Sequence, residues 1–345
     1  MTFPNRNQAG SGAYARSLLA AVAARDDVDA TPLSGPRVSG ITGTLRWMIS
    51  GAQDAVRASH ASLLHCPAFV APWNVRAPLV ISILDVTTRK FPQDYPAEWR
   101  LYEGRLLPRQ ARKAALIVAI SENTRRDVIA EYRLDPERVL TIHPGVDGQF
   151  ASAAPPQATD QRPTLLFPGA PIARKNLDVV LRALAAAPRD SAAGRATLQI
   201  SGATASGFPE HARRIAELGL TSRVRWLGQV PRHDLPGVMA AATAVVYPSL
   251  YEGFGFPPLE AMAAGTPVVA SNAACLPEVL GDAAELVDPN DDAALTRSLE
   301  VVLTRPDLRA RLIAAGRQRA AMFTWERCAE ETVAAYRRVL QEAAA

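Results

Sequence analysis

Cysteine is scarce in this chain: three in 345 residues, at Cys66, Cys275 and Cys328. Their spacing is neither paired nor metal-like, which argues against a disulfide framework and fits a reducing compartment. Long apolar runs are also lacking. No stretch reaches the roughly 18 apolar residues that a membrane-spanning helix needs, and the opening MTFPNRNQAGSG has no apolar signal-peptide core. Aromatic residues make up only 6%. No recognised nucleic-acid module is present in the pattern, so nucleic acid is not the expected partner. Lysine is nearly missing: of 38 basic residues only Lys90, Lys113 and Lys175 are lysines. The accompanying richness in alanine and arginine suggests a GC-rich genome and makes a lysine at 175 mildly unexpected.

What is present suits a globular protein, with 48% hydrophobic and 21% charged residues. The length favours two domains over one core. The net charge of +4 is confined to residues 1 to 155, with 18 basic and 14 acidic groups; the remainder is balanced. Within it, residues 89 to 113 carry Arg89, Lys90, Arg100, Arg105, Arg109, Arg112 and Lys113 against Asp94, Glu98 and Glu103. Two readings are open: a solvated helix face, or a patch that meets an anionic membrane surface or an acceptor's phosphates.

Short branched runs alternate with helical periodicity along the whole chain. In the first half, LVISIL (79–84), ALIVAIS (115–121) and VLTIHPGVD (139–147) read as buried strands, with helices over 12–25, 95–113 and 122–132. Residues 151–163, ASAAPPQATDQRP, read as a linker with a hinge near 155. A second series follows, with strands at 164–169, 197–202, 224–228, 244–249 and 267–271 and helices between and after them, ending in a helical tail from Thr324 to Ala344. Two doubly wound α/β halves are expected, with ligand at the carboxyl ends of the strands and in the cleft between the halves.

Three segments carry chemistry. In GAPIARKN (169–176), Gly169 permits a sharp turn, and Arg174 and Lys175 stand just before a helix N-terminus. Adjacent cations oppose the helix dipole there, so the placement suits a diphosphate, gripped by Arg and attracted by Lys; two solvated surface cations are the plainer reading. In YEGFGFPPLEAM, Glu252 precedes the Gly253-Phe254-Gly255 loop, and a helix over 258–264 puts Glu260 in its first turn. The loop's N–H groups suit an anion and the carboxylates suit hydroxyls, although a first-turn glutamate also serves as a helix cap. In QAGSGAY, Gly10 and Gly12 precede a helix as an anion-binding turn does, but the strand that should come first is very short or lies upstream. His143 and Asp147 flank a Pro-Gly turn, and Ser121 is placed to cap the helix from Glu122.

Taken together, these segments resemble glycosyltransferase family 4, including bacterial mannosyl- and rhamnosyl-type group 1 enzymes, over nearly the whole chain. The glutamates with seven residues between them, RKN at 174–176, PGVD at 144–147, GTPVVAS and LPEVLGDAAELVDPND (276–291) carry the resemblance. It implies the GT-B fold: two facing Rossmann-like domains with the site in the interdomain cleft. The corresponding division is 1–155 on the acceptor side, 156–325 for the nucleotide sugar, and a C-terminal helix, 326–345, crossing back to the first domain. It also implies a retaining hexosyltransferase without cofactor or metal, using a nucleoside diphosphate sugar, with GDP-mannose the first expectation. Arg174 and Lys175 would neutralise the diphosphate, and Glu252 with the backbone of Gly253, Phe254 and Gly255 would hold the sugar and distal phosphate. Glu260 would take the ribose, and Gly10, Gly12 and Gly169 would approach the donor. The expected acceptor is a saccharide or lipid-linked glycan of polysaccharide or glycolipid assembly, at the cytoplasmic face of the inner membrane, and no nucleic acid is expected. One position departs from the family: Leu84 stands where a histidine precedes Asp85. A catalytically impaired nucleotide-sugar-binding or scaffold protein is therefore the alternative, and His65 is a candidate substitute for the missing histidine.

Overall fold

The computed structural model describes residues 10–33, 51–73, 75–153 and 162–344. The chain forms two compact units, residues 1–145 with 323–345 and residues 146–322. The segment ahead of Gly10 and most of the linker expected over 151–163 lie outside the described residues.

In the first unit, β1 (Leu64–Cys66), β2 (Leu79–Ile83), β3 (Leu116–Ala119) and β4 (Val139–Thr141) form a parallel sheet in that order. The branched run of β3 is buried along its length, as expected of a strand covered on both faces. Ser121 caps the Glu122–Tyr132 helix: its hydroxyl accepts from the Thr124 N–H at 3.0 Å. Leu84, just past β2, is buried, and its carbonyl accepts from the Thr124 hydroxyl at 3.4 Å.

The single helix expected over 95–113 is interrupted. Helices Ala97–Leu101 and Leu107–Lys113 are separated by a π-helical turn, Tyr102–Leu106. Pro108 supplies the reason, since it has no N–H to give the carbonyl of Gly104. That carbonyl accepts instead from Arg89 Nη2 at 3.0 Å. Glu103, carried on the turn, is buried and accepts from the Thr88 hydroxyl at 2.5 Å. Burial pushes its carboxyl up to about 8.

The C-terminal helix, Trp325–Ala344, belongs to this unit and lies against Gly10–Ala23. Tyr14 is fully buried, with its ring 5.9 Å from that of Trp325. A polar chain continues from it: the Tyr14 and Ser82 hydroxyls are 3.1 Å apart, His65 Nε2 lies 2.8 Å from Ser82 Oγ, and His65 Nδ1 lies 2.5 Å from Tyr336 Oη. Burial drives His65 down to about 3, so its imidazole is neutral. A side chain at Gly145 would run into the backbone of Thr324 and Trp325, which accounts for glycine in the PGVD turn.

The second unit holds β5 (Thr164–Phe167), β6 (Thr197–Ser201), β7 (Val224–Gly228), β8 (Ala244–Tyr247), β9 (Val268–Ser271) and β10 (Glu285–Val287). They pair in parallel in the order β10-β9-β8-β5-β6-β7. β8 and β9 are buried throughout, while the edges β7 and β10 are partly exposed. The chain runs outward from β5 through β6 to β7, then crosses over and runs the other way from β8. The strand order therefore reverses between β5 and β8, the place where open α/β sheets gather ligands.

Candidate functional site

Two loops leave the carboxyl ends of β5 and β8 side by side. The first begins at Gly169, whose φ of +97° lies in the region that favours glycine. A Cβ there would come within 2.7 Å of Lys175 Nζ, so the missing side chain makes room for the lysine. Ala173–Lys175 forms a 3₁₀ turn, and Asn176 (φ 57°) adopts the left-handed conformation before the Leu177–Ala186 helix. Asn176 Nδ2 donates to the carbonyls of Pro289 at 2.7 Å and Pro248 at 3.3 Å, fixing this loop to those after β10 and β8.

Lys175 Nζ donates to the Pro168 carbonyl at 3.2 Å and to Tyr247 Oη at 3.4 Å, and sits 5.0 Å from the Tyr247 ring centroid. Burial lowers its pKa to about 8, against the opposing pull of Glu252. Arg174 Nη1 lies 2.5 Å from Glu252 Oε1 and 3.2 Å from the Tyr251 carbonyl. The Tyr247 and Ser249 hydroxyls reach the same Glu252 oxygen at 2.7 and 2.8 Å. Burial opposes the charge on Glu252, but Arg174 and Lys175 outweigh it and keep the carboxyl below its ordinary value. Glu252 is thus an ionised carboxylate held in one orientation.

The loop after Glu252 turns through Gly255 (φ 88°), where a Cβ would lie 2.7 Å from Leu276 Cδ2. Phe254 is buried against Phe256, so the Gly253–Gly255 segment is anchored by a side chain while its backbone forms the loop. The following helix is Phe256–Ala263, two residues earlier at its start than the sequence suggests. Gly255 in the left-handed conformation supplies the N-cap, and both prolines fit the first turn, where N–H groups lack intrahelical partners anyway. Glu260 consequently lies beyond the first turn, and the capping role open to it in the sequence does not apply. It is 3% exposed and pairs with Arg232 Nη2 at 2.7 Å. Burial raises the Glu260 carboxyl, and Arg232 offsets part of that rise. Arg232 Nη2 also lies 2.7 Å from Asp147 Oδ2, and its guanidinium stacks 5.0 Å from the Phe150 ring centroid.

Arg174, Lys175, Gly169, Glu252, Gly253, Phe254, Gly255 and Glu260 therefore all stand on the loops and the helix that leave the β5–β8 crossing. Gly10 and Gly12 are in the first unit, where they open the Gly10–Ala23 helix. Arg232, Tyr247 and Ser249 are additions that sequence reasoning missed. Tyr247 and Ser249 had a signal, being polar residues at the end of a buried strand; Arg232, in a polar loop, had none. The ensemble brings three cations (Arg174, Lys175, Arg232) to three carboxylates (Asp147, Glu252, Glu260). Such a balanced cluster can accept an anion at its cationic end and hydroxyls at its carboxylates.

The sequence profile described as Glycosyl transferases group 1 matches residues 150–319, and that of Glycosyltransferase Family 4 matches residues 12–150. The chain is 32% identical over 293 residues to O-antigen chain mannosyltransferase B of Escherichia coli, covering 82% of this chain and 76% of that protein. It is 33% identical over 241 residues to MMP alpha-(1->4)-mannosyltransferase of Mycolicibacterium hassiacum, covering 69% of this chain but only 57% of that protein. Among solved structures, sucrose-phosphate synthase from Thermosynechococcus elongatus superposes with a TM-score of 0.76 at 22% identity, covering 97% of this chain and 94% of that one.

Proposed function

Because the chain belongs to the group 1 glycosyl transferases and has their GT-B fold, we propose that it transfers a hexose, mannose from GDP-mannose first, with retention of configuration. The acceptor in this reading is a saccharide or lipid-linked glycan of polysaccharide or glycolipid assembly on the cytoplasmic side of the membrane. The observation that carries it is the pairing of Arg174 and Lys175 with Glu252 at the β5–β8 reversal. A diphosphate placed at the two cations would gain charge as the bond to the sugar breaks, and prearranged cations stabilise that developing charge without a metal. Glu252 would accept from a sugar hydroxyl, Glu260 from the ribose. The departing phosphate oxygen would take the acceptor's proton. Mannose is favoured by the names of the two relatives described above, both mannosyltransferases.

Thermal-shift measurements with EDTA present, across GDP-, UDP-, dTDP- and ADP-sugars, test the donor. GDP-mannose is expected to give the largest rise; at 100 times its Kd, binding adds about 2.7 kcal/mol. A panel that leaves the melting temperature unmoved sinks the donor site, and a larger rise with another base replaces GDP.

Buried Leu84 favours the second reading, a binding protein without transfer. Slow release of GDP from GDP-mannose marks the enzyme, and binding without release marks the other.

Membrane attachment is proposed for the 89–113 segment. Arg89 pairs with Glu131 and Lys90 with Asp127. Arg100, Arg105, Arg109, Arg112 and Lys113 are exposed, Arg112 while donating to the Tyr132 carbonyl at 2.9 Å, and Leu101 on the same segment is 55% exposed. No described helix is long and apolar enough to cross a membrane, so the proposed attachment is peripheral. Cosedimentation with vesicles containing phosphatidylglycerol is expected and should fall with salt and in Arg105→Glu/Arg109→Glu; equal sedimentation with neutral vesicles would contradict it.

A further inference from the structure

We infer that Arg232 is a positioning residue for nucleotide binding, acting through Glu260: it holds that carboxylate charged and oriented toward ribose hydroxyls. The inference rests on the reading of Glu260 as the ribose ligand. Glu260 is almost wholly buried on the Phe256–Ala263 helix, where an isolated carboxyl would be neutral. A neutral carboxyl spends one oxygen as a donor and accepts poorly; a carboxylate can accept from both ribose hydroxyls. Arg232 Nη2 at 2.7 Å is the cation in contact with it.

The arginine is itself held in place. Asp147 takes the same Nη2 at 2.7 Å, and Phe150 lies under the guanidinium. Asp147 and Phe150 flank the start of the short Gly148–Ala151 helix, which packs against the helix bearing Glu260. Three stretches distant in sequence thus meet at one guanidinium: the 146–150 segment, the loop after β7, and the helix after β8. Arg232 is 45% exposed, so its contribution depends on these two supports rather than on burial.

The other charged groups that act on Glu260 are Asp147, which disfavours its charge, and Lys175, which favours it. His233 and Asp234 pair with each other in solvent ahead of the Leu235–Ala241 helix. Arg317, on the packed Pro306–Ala321 helix, lies against Gly265 beyond the far end of the Glu260 helix. Glu278 stands on the Leu276–Leu280 helix, and Arg174 is engaged with Glu252. Arg232 is the group whose removal leaves Glu260 to protonate.

Calorimetric titration with GDP, or with the diphosphate nucleotide that the panel selects, tests this on four full-length proteins: the parent, Arg232→Gln, Glu260→Gln and the double variant. Affinity of Arg232→Gln is expected to fall at least tenfold at pH 6 and to recover toward the parent as the pH is raised and Glu260 ionises without its partner. Lys175 also titrates and is raised by the Glu260 charge, so each variant is read as a ratio to the parent at the same pH, and Arg232→Gln is compared with the double variant. Glu260→Gln should be weak at every pH, and the double variant no weaker than Glu260→Gln. Arg232→Lys, which keeps the charge, should bind as the parent does at pH 6. A pH-independent loss in Arg232→Gln, full additivity with Glu260→Gln, or failure of Arg232→Lys to rescue would overturn the inference and leave Glu260 as ligand. Parent-like binding by Glu260→Gln would instead remove the ribose reading and the inference with it.

Discussion

Glu252→Ala is expected to cost the second unit about 3–5 kcal/mol, because it leaves the buried Arg174 charge without its carboxylate. For a domain of this size that is about 6–20 °C in melting temperature. The substitution also strips the Tyr247 and Ser249 hydroxyls of the oxygen on which they converge. Transfer activity should fall below detection even at temperatures where the fold persists. Glu252→Gln separates the effects: its carbonyl still accepts from both hydroxyls, so stability should recover part way while transfer stays low. Calorimetric melting alongside a radiolabelled sugar-transfer assay checks both. A melting temperature for Glu252→Ala within 2 °C of the parent, by the scale above, would mean that the Arg174–Glu252 contact carries no net stability.

The second large effect is catalytic. Lys175→Met should lower kcat about 10²–10³-fold, the usual loss when one prearranged donor to a developing negative charge is removed. The methionine fills a similar volume, so melting should change little. Acidity offers a second check on the same residue. Burial holds Lys175 at about 8, so the cation is present below that pH and is lost as the pH rises through it. In the parent, kcat/KM should therefore decline above about pH 8. A bound diphosphate favours the protonated amine, so the matching decline in kcat should appear at higher pH. The Lys175→Met profile should lack this limb. An unchanged alkaline limb in the variant would assign it to another group.

How much of this could be read beforehand varied with the kind of signal. Strands such as TLLF, AVVY and VVAS are branched runs bounded by turns, and they lie where periodicity puts them. β10, with three residues, is too short to leave a period. The halves of the site were visible because charged residues stand next to glycines that open helices. Their meeting came only through the family resemblance, since it depends on a strand order that no local pattern encodes. Glu260 was misplaced within its helix because two prolines looked like the start, whereas Gly255 had already begun it. Arg232 was invisible: VPRHDLP has the composition of a solvated loop, and only tertiary structure carries its arginine to Asp147 and Glu260. The basic excess of 89–113 was overstated for a related reason, because Asp127 and Glu131 come back from the next helix to pair with Lys90 and Arg89.

The attachment of Trp325–Ala344 to the first unit has a consequence for synthesis on the ribosome. Tyr14 and Tyr336 end a polar chain running through Ser82 and His65, so residues more than 300 positions apart complete one interior. The second unit, being continuous, can finish folding while the chain is still being made. The first has the four described strands of its sheet early but must wait for the Trp325–Ala344 helix to cover Tyr14. Until then it presents an unfinished apolar face to chaperones and proteases, and closure of so long a loop is intrinsically slow. Translation pausing or premature termination near residue 322 would therefore endanger the earliest-made part of the protein and spare the part made just before the stop.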